Sequence, residues 1–507
     1  MMRIRTLLIL ICLQIQFVFC QTSLEEINLP YGDYKVGFKH YTLIDSTRTY
    51  RIKNEFNNRS IDRPIPISIW YPSNIKTKND KQLTVLDYLH ILKEEEEWKN
   101  LPDEYLLDWF HYLWNTPQNK AHLSEKVKAV YNAPMLKEKF PVIVYASSYE
   151  ATSIENFALF EYLASHGYVV ISNPSRGAIT KELEGATPRA AEAQSRDTEF
   201  ILKEVHKFGN VATDKIALMG YSFGGLSNVI TSMKNSNVKA LVSLDGSERY
   251  NYKVLEKSPY FDIKRFDIPY IHFAQKDIPQ EVMISDKIPS ELNYQFKLYD
   301  SLLYSESHSF KFHDLTHSYF SSFGVLFANR DKRQDKSDVE IMKSYRLLSQ
   351  YTLQFLNFYL KEKSSKNRFT ELLVTDNKLV SLKTKNGLKK TFTYKDFNDL
   401  ALHQNFQDLI PLYQTEKKKH PTLILEEGML NTLGLRLSFD PNKIEQGIQV
   451  FLLALYIYPN SANLYDSLAE AYLLHKDEKN AIINFEKSLV LNPQNQNAAN
   501  KIKLLKR

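Results

Sequence analysis

Ile216-Ala217-Leu218-Met219-Gly220-Tyr221-Ser222-Phe223-Gly224-Gly225-Leu226 is the stretch whose reading decides the fold. Ile216 to Met219 is a short apolar run of the kind a fully buried strand needs. A Gly-x-Ser-x-Gly pattern follows at once, and then Leu226, Val229, Ile230 and Met233 recur at helical spacing. Strand, tight turn, serine and helix together form the context of a nucleophile elbow. Its bend forces Ser222 into a strained backbone conformation, and side chains at 220 and 224 would collide with the neighbouring strand and helix. The plainer alternative is a glycine-rich turn with an ordinary serine. The flanking strand and helix favour the elbow.

Working outward, 507 residues exceed one domain, and 43% hydrophobic with 13% aromatic residues suffices for a large core. A net charge of +6 is small for this length, and no basic block is able to coat a phosphate backbone, so nucleic acid is not expected as a partner. Arg3 and Arg5 precede an apolar run from Leu7 to Phe19 that is too short to span a bilayer. That pattern reads as a secretory signal peptide over residues 1–20, cleaved between Cys20 and Gln21, and the protein is expected to be secreted or periplasmic. Lipidation of Cys20 is the alternative, opposed by bulky Phe19. Both cysteines, Cys12 and Cys20, lie in this segment, so the mature chain has no disulfide to form. No later segment reads as a transmembrane helix.

Strands are expected at Tyr34–Phe38 and Tyr41–Ile44, and at Ile65–Tyr71, whose prolines suggest a place near a sheet edge. Residues 83–131 read as a helical insertion, a candidate cap over the active site, with a plain packing helix close behind. Its acidic run from Glu94 to Glu97 reads as a solvated helix face. Buried strands then alternate with helices: Phe140–Ala146, a helix over Phe157–Ser165, Tyr168–Ile171, a helix over Glu192–Phe208 ending at Gly209, the elbow, Lys239–Leu244 and Ile268–Phe273. The expected class is α/β, a mostly parallel sheet with helices on both faces. A last amphipathic helix over 344–360 closes a domain spanning 21–362. Residues 363–424 read as a linker, with Lys417-Lys418-Lys419 solvated. From 425 to 507, Tyr465, Leu468, Ala469, Tyr472, Ala481, Phe485, Ser488 and Pro493 fall at the packing positions of a tetratricopeptide-like repeat. A weaker copy runs through Leu433-Gly434, Phe451, Ala454 and Pro459. Such repeats bind protein partners or serve as a structural cap.

A serine hydroxyl needs a base, an acid that orients the base, and donors for the oxyanion. In this fold the order along the chain is serine, acid, histidine. Asp245 and Asp277 both follow a strand after the elbow, and position alone allows either. His317, in Leu315-Thr-His-Ser-Tyr, sits where a loop histidine can lean over the serine, with His313 as its main competitor. His272 lies in a strand and reads as packed, and His403 falls outside the domain. A metal site built from His308, His313 and His317 matches no common spacing. Arg176 either lines the pocket or makes a surface salt bridge, and His166 reads as structural.

Four stretches carry a family resemblance: Phe140-Pro-Val-Ile-Val-Tyr145, Leu163-Ala-Ser-His-Gly-Tyr-Val-Val170, Gly220-Tyr-Ser-Phe-Gly-Gly225, and Leu244-Asp-Gly246 with Thr316-His-Ser-Tyr-Phe320. Over roughly residues 34–360 the chain resembles the platelet-activating-factor acetylhydrolase and dienelactone-hydrolase-related group of α/β-hydrolases. The resemblance implies Ser222 as nucleophile, His317 as base and Asp245 as acid. It implies an oxyanion hole made by the backbone N–H groups of Phe223 and Tyr149. The chain departs from the family where Ser147-Ser148 replaces the usual His-Gly before that second donor.

The expected activity is cleavage of a small or lipid-like carboxylic ester through an acyl-enzyme, with no metal or organic cofactor needed. The same triad serves a peptidase or a thioesterase. A third reading is a low-activity scaffold that recruits partners through its repeats.

Overall fold

The computed structural model describes residues 22–52, 59–74, 81–110, 113–208, 210–285, 287–327, 334–361 and 378–506. Residues 1–20, expected as a signal peptide, with both cysteines, and Gly209 lie outside them. The chain divides into two compact units, residues 1–388 and 389–507.

The first unit is built on one eleven-stranded sheet: β1 (Lys35–Tyr50), β2 (Ile61–Ser73), β3 (Gln82–Thr84), β4 (Lys126–Tyr131), β5 (Phe140–Ala146), β6 (Val169–Asn173), β7 (Val211–Tyr221), β8 (Val238–Leu244), β9 (Tyr270–Ala274), β10 (Ser307–Phe312) and β11 (Val380–Lys385). Their order across the sheet is β11-β10-β9-β8-β7-β5-β6-β2-β1-β4-β3. The six from β6 to β10 in that order run parallel. β2 and β11 join them antiparallel. Successive side chains of the parallel strands enter two separate cores. Ile143, Tyr145, Ala217 and Met219 pack on one face, and Val142, Val144, Ile216 and Leu218 on the other. That alternation is the period of a strand covered on both sides. Helices α2 (Phe157–Ser165) and α5 (Asp338–Leu356) cover the first face, α3 (Pro188–Glu204) and α4 (Phe223–Lys234) the second.

Several expectations are corrected. The two early strands are one, β1. β2 is not near an edge; it pairs β1 along its length and β6 over Ser68–Trp70. Its prolines 64, 66 and 72 share one parity and fall outside that short stretch, so their missing N–H groups leave the β1 ladder whole. The 83–131 insertion is not wholly helical, because β3 and β4 extend the sheet beside β1. Its helix α1 (Val85–Glu95) buries Tyr88, Leu89 and Leu92 in the main core. The acidic run is not a solvated face either. Glu95 is 2% exposed, and Glu96 pairs with Lys181.

The segment read as linker also carries structure. β11 closes the sheet, and α6 (Tyr394–His403) and α7 (Leu409–Lys419) belong to the second unit, whose core includes Phe397, Ala401 and Leu409. Lys417 donates to the Leu423 carbonyl. Beyond them α8 (Glu427–Ser438), α9 (Ile444–Ile457), α10 (Ala462–Leu474), α11 (Glu478–Leu491) and α12 (Gln496–Leu505) follow through short turns. Leu468, Ala469, Ala481, Phe485 and Ser488 are buried, as are Phe451 and Ala454. Among the described residues no helix is long and apolar enough to cross a membrane.

Candidate active site

β7 delivers Ser222 at its C-terminal end, and α4 starts at the next residue. Ser222 has φ 52° and ψ −117°, a strained conformation for a residue with a side chain. It occupies the N-cap position of α4 yet makes no capping hydrogen bond, unlike Thr187 on α3 or Ser337 on α5. The hydroxyl is therefore left to a partner outside the helix it precedes. A Cβ on Gly220 would lie 2.4 Å from the Gly224 carbonyl carbon, so the bend admits no side chain there.

His317 bridges the serine and one aspartate. Its Nε2 lies 3.0 Å from Ser222 Oγ, and its Nδ1 lies 2.6 Å from Asp245 Oδ2. Asp245, immediately after β8, is fully buried, and its other oxygen accepts from the Tyr250 hydroxyl at 2.8 Å and the Gln275 amide at 3.0 Å. Burial alone would raise its carboxyl. The hydrogen bond and charge of His317, with Arg249 nearby, hold it below the usual carboxylate range instead. The His317 main chain is fixed from two sides: its N–H donates to Gln275 Oε1, and its carbonyl accepts from the Tyr221 hydroxyl. The Gln275 side-chain Nε2 donates to the Tyr250 hydroxyl, which closes a ring of contacts around the His317–Asp245 pair.

The competing candidates sit elsewhere. Asp277 is exposed and bound to Lys311 at 2.6 Å. His313 is exposed, as is His403 on α6 in the second unit. His272 is completely buried in β9, where burial lowers its pKa to about 3; His308, buried in β10, is lowered to about 4 for the same reason. Among the described residues no three potential ligands gather as a metal site. His166 packs on Tyr162 and hydrogen-bonds the Tyr162 carbonyl. Among the described residues Arg176 makes no surface salt bridge. It is 5% exposed, donates to the Glu95 carbonyl at the end of α1, and lies over the Tyr50 ring.

Phe223 and Tyr149 lie side by side, ring centroids 5.7 Å apart and edge to face. Tyr149 belongs to the turn after β5, which the Ala151 amide closes onto the Ser148 carbonyl. Among the described residues neither the Phe223 nor the Tyr149 amide donates to an acceptor. Ser147 and Ser148 are both used as anchors. Ser147 Oγ donates toward the Thr152 and Asn173 carbonyls, and Ser148 binds the Glu155 carboxyl through both its amide and its hydroxyl. A cavity of about 300 Å³ flanks the site, its lining including Tyr149, Tyr221 and Ser318, neighbours in sequence of the site residues, and the aromatic residues Trp114, Phe323 and Phe327. Of the insertion, Trp114 alone of the described residues lines it. Gln275, Tyr250 and Glu155 were not singled out from sequence. Only the position of Gln275, just past the end of a parallel strand, carried a signal.

A family profile described as X-Pro dipeptidyl-peptidase (S15 family) matches residues 125–258, a span that contains Tyr149, Ser222 and Asp245 and stops short of His317. Among solved structures the chain is similar to a ferulic acid esterase from Streptomyces cinnamoneus, at 16% identity and a TM-score of 0.47, covering 66% of this chain and 93% of that one. No curated protein matches. A parallel sheet wrapped on both faces, with a strained serine at the end of a central strand and an acid and a histidine following it in chain order, makes this chain an α/β-hydrolase in fold.

Proposed function

We propose that the protein is a serine hydrolase that cleaves carboxylic esters through an acyl-enzyme. The observation that carries this reading is one imidazole within hydrogen-bonding distance of both Ser222 Oγ and Asp245 Oδ2. Ser222 Oγ attacks the carbonyl carbon while His317 Nε2 takes its proton. The same nitrogen then delivers that proton to the leaving alcohol, and Asp245 fixes the tautomer and stabilises the imidazolium. The Phe223 and Tyr149 amides receive the oxyanion, aided by the positive end of α4. Water, deprotonated by His317, releases the acid. The cavity beside Tyr149 and Tyr221 takes one side of the ester.

A peptidase reading has its own support, the S15 profile over residues 125–258. Turnover of a panel of nitrophenyl esters, thioesters and dipeptide anilides decides between them. Ester turnover exceeding anilide turnover by at least about 10²-fold, and abolished by Ser222→Ala, is the expected result. Anilide preference reverses the assignment, and equal turnover by the Ala variant removes the mechanism. We further propose that residues 1–20 direct export, which the N-terminal sequence of the exported protein tests, and that the helix pairs from α8 to α11 form a partner-binding tetratricopeptide-like array.

A further inference from the structure

Oxyanion donors act only if their N–H groups are held in place before the reaction begins. The Phe223 donor is held by α4. The Tyr149 donor sits on a four-residue turn, Ser148 to Ala151, with a side-chain residue in the left-handed region: Glu150 has φ 53°. A turn of that kind favours glycine at its third position, so this one is strained and needs anchoring. The anchor comes from Glu155, on the far side of the loop. Its Oε1 accepts the Ser148 amide at 2.8 Å and the Tyr145 hydroxyl at 2.8 Å, and its Oε2 meets the Ser148 hydroxyl at 2.6 Å. Tyr145 is a fully buried residue of β5, so the carboxyl ties the turn to the centre of the sheet. The backbone of Glu155 reaches the other wall of the site, its carbonyl accepting from Phe323 N–H at 3.0 Å. The next residue, Asn156, binds the Phe320 carbonyl and the Ser322 amide in the segment that carries His317.

With Ser148 fastened through its amide and hydroxyl, and its carbonyl taken by Ala151, the turn leaves the Tyr149 and Glu150 N–H groups without an acceptor among the described residues, and Tyr149 is the one packed against Phe223. We propose that Glu155 is a positioning residue for the reaction, holding the Tyr149 oxyanion donor in register through Ser148 and standing in for the glycine that the turn lacks. The inference rests on the serine-hydrolase reading above. It assigns Glu155 no proton transfer. Either protonation state of the carboxyl keeps the contacts, since a protonated Oε2 donates to Ser148 Oγ in place of accepting from it.

The test uses the full chain with Ser222 intact and compares Glu155→Leu, Glu155→Gln and Ser148→Ala on a nitrophenyl ester. Glutamine keeps an acceptor at Oε1 and places a donor against Ser148 Oγ, so Glu155→Gln is expected to recover most of what Glu155→Leu loses. Glu155→Leu is expected to lower kcat about 10²-fold with KM within roughly threefold, and Ser148→Ala about tenfold. A transition-state analogue such as a trifluoromethyl ketone should weaken in step with kcat/KM, because only the tetrahedral adduct uses the oxyanion donors. Wild-type kcat in Glu155→Leu overturns the proposal, as does a Gln variant as damaged as the Leu one, or a loss borne by KM with analogue affinity unchanged. If Glu155→Leu does not fold, Ser148→Ala decides, and wild-type kcat there is the overturning result. Failure of the hydrolase reading would show separately, as turnover that survives Ser222→Ala.

Discussion

Gly224 approaches the end of β5 so closely that a Cβ there would stand 1.9 Å from the Ala146 carbonyl oxygen and 2.8 Å from that of Ser147. The first turn of α4 thus rests directly on the strand end that leads into the Tyr149 turn. The residues on either side of this contact, Phe223 and Tyr149, pack edge to face with ring centroids 5.7 Å apart.

Both clashing atoms are backbone, so neither swings away. Gly224→Ala is therefore expected to destabilise the first unit by roughly 2–3 kcal/mol. It should also lower kcat by more than that loss of folded protein explains. Gly428→Ala is the control. It lies in α8 of the second unit with nothing within 4 Å of an added Cβ, and it should leave both properties unchanged or raise stability slightly. Thermal melts and turnover at matched folded fraction check both.

Asp245→Asn should lower kcat about 10⁴-fold, because an amide in place of the Oδ2 acceptor favours the wrong His317 tautomer. The same substitution probes stability against pH. The folded carboxyl titrates below its ordinary value, so its contribution is present above an unfolded pKa of about 3.9 and is lost as pH falls through the lowered folded value. The stability gap between wild type and Asp245→Asn is thus expected to be full at neutral pH and to close on acidification below about pH 4. Denaturant midpoints across that range measure it.

What was legible from sequence followed from local constraint. The elbow is written in five consecutive residues because a bend with a strained serine leaves no room for side chains at 220 and 224. The parallel strands were legible because both faces are covered, which demands unbroken apolar runs. β11 was not, since only Val380 of Val380–Lys385 is buried. A charged edge strand reads as linker. The choice between Asp245 and Asp277 was open because both end parallel strands. What separates them is burial against solvent, a tertiary property with no spacing of its own. Glu155, Tyr250 and Gln275 act through contacts that no periodicity encodes. Arg176 and the Glu94–Glu97 run misled because charge was equated with exposure, whereas Glu95 is buried accepting from Ser153 N–H at 2.9 Å.

Gln275 offers a probe of how far placement alone matters. Its side chain touches no reacting atom, but it accepts the His317 amide and donates to Tyr250. Alanine there keeps the main-chain amide that binds Asp245 and removes only these two contacts. A histidine displaced by a fraction of an ångström should lower kcat about 10- to 100-fold with KM nearly constant. Tyr250→Phe should give a smaller loss of the same kind. An unchanged kcat in Gln275→Ala would show that the remaining contacts of the His317 loop, the Tyr221 hydroxyl among them, fix it without the Gln275 side chain.

Behind the elbow, Glu248 is fully buried, and its pKa is pushed up to about 7 by that burial, against the hydrogen bonds from Ser243 and Tyr270 that favour the charged form. A folded carboxyl that titrates above its unfolded value of about 4.3 favours folding fully at low pH. That contribution declines as pH rises toward the folded value, because ionising the buried group opposes the folded state. Oε1 accepts from both the Ser243 hydroxyl and the Tyr270 hydroxyl, the latter at 2.7 Å, whereas Oε2 accepts from no other described residue. Glutamine keeps the acceptor in the first position and, like the protonated carboxyl, puts a donor in the second. Glu248→Gln is expected to match wild type in melting temperature near pH 4.5 and to exceed it near pH 8, with kcat unchanged at pH 7. Parallel melting curves for the two proteins from pH 4.5 to 8 would mean that the carboxyl ionises alike in both states.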